Sequence, residues 1–236
     1  MTRRRWIADE VSGSRAALIG SHADHLIRVL RARVGQEFDI ATHDGVRHGS
    51  IISIGPDRVE FELGEVVPAR ATPEITLALS IFKFDRMEWA IEKCTELGVA
   101  RIIPIIAQRT ETHLASAAVK RAERWQRIAA QAAEQSRRPS VPDVPLPIKF
   151  KEAVALKCST RIVLSEAEEE VRLKDTIPPA TQNLILAVGP EGGWTEGELE
   201  AFHASGWTSA SLGDTILRAE TAAIVATALA LSEMQP

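Results

Sequence analysis

The sequence predicts an α/β protein: a mainly parallel sheet with flanking helices, preceded by a small β-barrel. Three observations carry this. From Glu74 onward, apolar strand signals alternate with helical periodicities, the pattern of a parallel sheet covered by helices on both faces. Residues 1 to about 70 instead hold short β-type runs broken by turn signals, with one short helix among them. Near the C-terminus, residues 184–195 and 212–221 each read as a strand end, a glycine loop and a helix start. Two such units in tandem set two loops at the carboxyl edge of one sheet, where open α/β sheets bind small molecules.

In the N-terminal segment the runs 37–40, 49–54 and 58–63 are separated by Asp44-Gly45 and Gly55-Pro56-Asp57, and a helix is expected around 21–31. All ten basic residues of this segment are arginine, and four of the six histidines of the chain lie in it. Residues 67–73 read as a linker, so the expected domains are 1–70 and 74–236. In the second domain, strands are expected at 75–82, 101–106, 160–164, 183–188 and 208–212. Helices are expected at 85–97, with Met87, Ala90, Ile91 and Cys94 on one face, and at 117–137. Thr195 followed three positions later by Glu198 forms a capping box opening a further helix.

Composition bounds the function. With 45% hydrophobic and 25% charged residues, the 236-residue chain has an ordinary globular make-up. A net charge of −4 argues against wholesale coating of nucleic acid, so any RNA contact must come from local patches. Cys94 and Cys158 are too few for a zinc site or a disulfide framework and suit a reducing cytoplasm. The histidines show no metal-ligand spacing, so no metal is expected. Thr2-Arg-Arg-Arg-Trp6 is basic but no apolar segment follows. The most apolar stretch, 222–231, falls short of the ~20 residues of a membrane span. A soluble, cytoplasmic protein without membrane contact is the expectation.

The two glycine loops narrow the ligand. Neither contains the Gly-Lys-Ser/Thr ending of a phosphate-binding loop, and the spacing is wrong for Gly-x-Gly-x-x-Gly. Glu191 would repel phosphates and tolerate a cationic or neutral ligand. A nucleoside bearing a positive centre fits, and S-adenosylmethionine is such a ligand. Glycines at 189, 192 and 193 would let backbone amides approach an adenine closely. Ile216 and Leu217 would supply apolar walls, and Leu164, at the end of the preceding strand, is a third contributor. The basic stripe of helix 117–137, including Arg121 and Arg124, reads first as a solvated face.

Several motifs in order resemble one family. Glu96-Leu-Gly-Val99, Gln135-Ser-Arg-Arg138, Gly189-Pro-Glu-Gly-Gly193 and Ile216-Leu-Arg-Ala-Glu-Thr221 look like the SPOUT class of methyltransferases, most closely its RsmE branch. That branch methylates N3 of a uridine in 16S ribosomal RNA. The resemblance spans nearly the whole chain, because His25-Leu-Ile-Arg-Val-Leu-Arg31 looks like the family's RNA-binding domain. Arg218-Ala-Glu220 departs from the family, in which threonine often separates the two.

The resemblance implies a PUA-like N-terminal barrel that grips RNA and a C-terminal domain tied in a trefoil knot. It further implies a homodimer, S-adenosylmethionine as cofactor and the small ribosomal subunit as partner. The cofactor residues it implies are Leu164, Gly189, Pro190, Glu191, Gly192, Gly193, Leu212, Gly213, Ile216, Leu217, Arg218 and Thr221. RNA contacts are assigned to Arg3, Arg4, Arg5, His25, Arg28, Arg31, Gln135, Arg137 and Arg138, with Gln135 lining the active-site cleft and Trp6 a possible stacking surface. Methylating N3 requires removal of an imide proton and stabilisation of the anion. Arg218 is the candidate stabiliser at a helix N-terminus, and Glu220 or Glu191 the candidate proton acceptor. The alternative role for Glu220 is to orient the site or hold the loop. A different target atom, such as a ribose 2′-oxygen or another base, and a non-catalytic assembly factor stay open as rivals.

Overall fold

The computed structural model describes residues 5–67 and 73–234. The chain forms two compact units: residues 1–71 with 133–140, and residues 72–132 with 141–236. Most of the expected linker lies outside the described residues, as do Arg3 and Arg4.

The first unit is one curled sheet. It contains β1 (Arg5–Ile7), β2 (Glu10–Ser12), β3 (Arg15–Ile19), β4 (Glu37–Thr42), β5 (Gly45–Ile54) and β6 (Arg58–Val66), in the order β1-β4-β5-β6-β3-β2. All pairs are antiparallel except β1 with β4. Bulges in the pairing of β5 with β6 bend the sheet, as extra residues do when they raise local twist. Leu18, Ile40, Ile51 and Phe61 of the sheet are fully buried together with Leu26 of the segment after β3. At Gly49 an added Cβ would come within 2.5 Å of Ile40 Cγ1, so the close approach of strands there requires glycine.

The helix expected at 21–31 is only partly α-helical. Helix α1 (Ser21–Asp24) runs into a π-helical turn, His25–Val29, closed by Leu30 N–H donating to His25 O at 3.1 Å. Arg31 then adopts φ 51°, in the left-handed region. His25, Arg28 and Arg31 therefore do not form the regular α-helical stripe that their spacing suggests.

The second unit alternates as expected. Its elements are β7 (Glu74–Ser80), α2 (Phe84–Leu97), β8 (Arg101–Ile106), α3 (Thr112–Gln135), β9 (Ile148–Lys149), α4 (Phe150–Val154) and β10 (Thr160–Leu164). There follow α5 (Leu173–Thr176), β11 (Asn183–Val188), α6 (Glu196–Ala204), β12 (Thr208–Ala210) and α7 (Ala219–Met234). The last residues of α3, from Ala133, group with the first unit. The sheet order is β12-β10-β11-β7-β8-β9, and every pair is parallel.

Both faces of this sheet are covered, which explains why its strands read as continuous apolar runs. Leu184, Leu186 and Val188 of β11 point to one core with Ile75, Leu77 and Leu79 of β7, joined by Met87, Ala90, Ile91 and Cys94 of α2. The alternate residues Ile185 and Ala187 point to the other core, with Ala78, Val163, Trp194, Phe202 and Trp207. Small residues Ala223, Ala226 and Ala230 let α7 approach closely, and Thr227 Oγ1 lies 3.6 Å from Cys94 Sγ. Helix α2 ends at Gly98, whose φ of 119° suits glycine. Arg124 grips Glu88 through two hydrogen bonds (2.7 and 2.8 Å), and Arg121 adds a third at 3.3 Å. That basic stripe therefore pins α3 to α2.

Candidate functional site

The strands end together, and their loops make the site. Carboxyl ends of β10, β11 and β12 and the segment entering α7 enclose a cavity of about 380 Å³. Of the cofactor residues expected from sequence, Leu164, Gly189, Pro190, Glu191, Gly193, Leu212, Gly213, Ile216, Leu217 and Arg218 line it. Gly192 and Thr221 do not. Gly192 faces Arg109, whose Nη1 donates to its carbonyl at 2.6 Å, and Thr221 sits in the first turn of α7.

The loop after β11 is held from several sides. Trp194 Nε1 donates to Leu164 O at 3.1 Å, tying the loop to the end of β10. A Cβ on Gly189 would press on the Trp194 indole at 3.2 Å. Gly193 closes a turn by donating to Pro190 O at 2.9 Å, with φ 68°. A Cβ there would lie 2.0 Å from Glu166 Oε1. Positive φ and this close approach make glycine a requirement at 193.

The expected capping box opens α6 and does more. Thr195 Oγ1 accepts from Glu198 N–H, and Glu198 Oε2 accepts from Thr195 N–H at 2.9 Å. The second oxygen of Glu198 accepts from Gln108 N–H at 2.8 Å, and the carboxylate is buried. A single side chain thus satisfies the N-terminus of α6 and the loop after β8. Buried charge is tolerated there because its acceptors are filled.

Electrostatics are set by a residue that the sequence reading missed. Arg86, near the start of α2, places Nη1 2.7 Å from Glu191 Oε1 and Nε 3.7 Å from Glu220 Oε1. It brings together both candidate proton acceptors, and it lines the cavity. Glu220 is 4% exposed, lies behind the wall rather than in it, and its Oε2 has no hydrogen-bond partner among the described residues. Arg218 is exposed at the entry to α7, where Ala219 and Ala222 also line the cavity. Ser165, Glu166 and Asp214 complete the rim, Asp214 bound by Arg172. The linear signal for Arg86 is weak, since one arginine at a helix start reads as a surface charge.

The expected RNA residues fall in the first unit. Arg5, His25, Gln135, Arg137 and Arg138 line a second cavity there, formed by β1, the α1 segment and residues 134–138. Gln135 lines this cavity and not the first. Arg28 is exposed and pairs with Asp24 at 3.2 Å. Burial lowers the pKa of Arg138 from its ordinary value.

Known proteins resemble this chain over most of its length. A family model for the RNA methyltransferase domain matches residues 70–231. A protein of Synechocystis described as ribosomal RNA small subunit methyltransferase E is 34% identical over 93% of this chain and 74% of its own length. The chain belongs to this RNA methyltransferase family. The small subunit methyltransferase E of Bacillus subtilis is 32% identical over 89% of the chain and 87% of its own length. A crystal structure of the family member from Neisseria gonorrhoeae, bound to S-adenosyl methionine, superposes with a TM-score of 0.78 at 32% identity. That match covers 96% of this chain and 95% of the other. Membership makes the chain an RNA methyltransferase. Among the described residues no group of histidine, cysteine and carboxylate side chains could hold a metal, and no helix is long and apolar enough to cross a membrane.

Proposed function

We propose that the chain transfers the methyl group of S-adenosylmethionine to N3 of a uridine in the 16S RNA of the small ribosomal subunit, in the cytoplasm and as a homodimer. The observation that carries the cofactor reading is the cavity at the strand ends, with glycine obligatory at 193 and an apolar rim. Ile216 is 86% exposed there, and covering such a side chain with a flat apolar ligand would contribute roughly 1.5–3 kcal/mol. The carboxylate of Glu166 beside the loop favours a ligand with a positive centre over a phosphate, while that of Glu191 is matched by Arg86. Names of the relatives support the RNA target, and the motif set supports N3. A trefoil knot in the second unit belongs to the same reading.

When bound, the cofactor supplies an electrophilic methyl on a sulfonium; the rest is done by this chain. Arg218 stands exposed beside the first turn of α7, where free N–H groups and its own charge favour an anion delocalised over the uracil carbonyls. The N3 proton must leave as the N–CH3 bond forms. Glu191, at the cavity wall, is the better-placed acceptor of that proton, directly or through water. Glu220 is buried behind Arg86, with Oε1 3.7 Å from its Nε, so it acts by holding that arginine. Positioning and electrostatics supply the rate, without a metal.

The test is to incubate the chain with labelled S-adenosylmethionine and small subunits lacking the modification, then map the label by nuclease digestion and mass spectrometry. Methyl at N3 of one uridine is the expected result. Label on a ribose or another base would overturn the target atom. Arg218→Ala should lower turnover by ~100-fold or more while cofactor binding stays measurable. Gel filtration with light scattering should give twice the chain mass of 25.8 kDa.

A further inference from the structure

The second cavity, of about 430 Å³, is of ligand size and lies wholly in the first unit. Its chemistry is one-sided. Trp6 and His25 present an edge-on aromatic pair with ring centres 5.5 Å apart. Arg5 Nε and Trp6 Nε1 are buried N–H donors with no acceptor among the described residues. Gln135, Arg137 and Arg138 bring further donors from the end of α3. Glu134 is the one acid among the lining residues, and its carboxylate is already taken by His22 Nε2 at 3.0 Å.

The backbone at Arg137 points the same way. Arg137 N–H donates to Glu134 O and Arg138 N–H to Ala133 O, the paired bonds that close a helix on a left-handed residue. That residue is ordinarily glycine, yet here it is an arginine at φ 57°. An arginine held against the conformational preference of its position, on the rim of a donor-lined cavity, points to use of the side chain.

We propose that this cavity receives one unpaired nucleotide of the RNA, its base against Trp6 and His25 and its phosphates on Arg137 and Arg138. Unstacked bases are recognised in this way, by aromatic faces and guanidinium planes, with N–H donors reading base acceptors. The inference rests on the reading that the substrate is RNA, and its test is independent of methyl transfer.

The test measures binding of a labelled single-stranded RNA oligonucleotide to the full chain, with the same sequence as a duplex and inorganic phosphate as competitor. Single strand should bind in preference to duplex, and millimolar phosphate should not displace it. His25→Ala should weaken binding by roughly tenfold, in the range set by one stacked base. Arg137→Gly should weaken binding severalfold while raising the melting temperature by about 2–4 °C, because glycine suits the left-handed position. Affinity for S-adenosylmethionine should stay unchanged in both. Wild-type affinity in both variants, equal binding of duplex, or displacement by phosphate would each overturn the nucleotide site. Loss of binding in the variants alongside a wild type that places no methyl on N3 would sink the proposed reaction and leave this site standing.

Discussion

Arg86 Nη1 lies 2.7 Å from Glu191 Oε1, so a cation from α2 is fixed against the glycine loop that follows β11. The same guanidinium is the nearest cation to buried Glu220 at the start of α7. Two carboxylates distant in sequence are thus held by one side chain, and the shape of the cavity depends on it.

Arg86→Ala should therefore act on both stability and binding. It leaves Glu220 buried without a counter-charge, at a cost of about 1–3 kcal/mol, reduced from the full buried-pair value because Arg86 is partly exposed. Affinity for S-adenosylmethionine should fall with it. Adding Glu220→Gln should recover part of the stability but not the affinity. Urea titration and calorimetry on the single and double variants provide the check, and full additivity of the two losses would refute the pairing.

Gly193→Ala should damage the loop without disturbing the sheet. The new Cβ needs a positive φ and displaces Glu166 from a 2.0 Å approach. Left-handed backbone costs a non-glycine residue about 1–2 kcal/mol, so cofactor affinity should drop by roughly tenfold with the far-ultraviolet dichroism unchanged. Gly197→Ala, where the added atom meets nothing, is the matched control.

His22 should make the first unit sensitive to pH. Partial burial works against its charged form, but the hydrogen bond and charge of Asp9 and the charge of Glu134 outweigh it, so its pKa is raised above 6.5. A histidine with a raised folded value contributes stability that is fully present below pH 6.5 and is lost as pH rises through the folded value. The melting temperature of the wild type should thus exceed that of His22→Gln most below pH 6.5, and the gap should narrow as pH rises above it. A gap that widens with rising pH would contradict the pairing.

The two cysteines should differ in reactivity. Burial against α7 pushes the Cys94 thiol up to about 12, whereas Cys158 is partly exposed. Iodoacetamide at about pH 8 should label Cys158 alone in the folded chain, since the thiolate is the nucleophile, and both residues after denaturation. Peptide mass mapping reads the outcome.

Much of this was legible in the sequence because it is local. Strands 101–106, 160–164 and 183–188 coincide with the observed elements, since each is an apolar run bounded by turn residues and buried on both faces. The Thr195–Glu198 box was visible for the same reason. What was hidden is long-range. Arg86 gains meaning only when α2 meets the loops after β11 and before α7, and the second role of Glu198 depends on the loop after β8. β1 and β2 escaped notice because strands of three residues carry too little alternation to register, and β3 because Ala16 and Ala17 dilute its β-type signal. The π-helical turn at 25–29 was read as α-helix because both keep leucines inside at similar spacing.

The order of strands in the parallel sheet has a consequence for how the protein is made. β7 must wait for β11 as its neighbour, with Glu74 opposite Asn183, and β10 lies between β11 and β12. On the ribosome, the N-terminal strands β1 to β6 can pair among themselves as soon as they emerge, whereas the centre of the second sheet cannot close until most of the chain has been synthesised. Long-range pairings of this kind slow folding and leave apolar strands uncovered in the meantime. The nascent second unit should therefore be the client of holding chaperones. A stall placed before residue 183 should yield a folded first unit followed by a protease-sensitive tail.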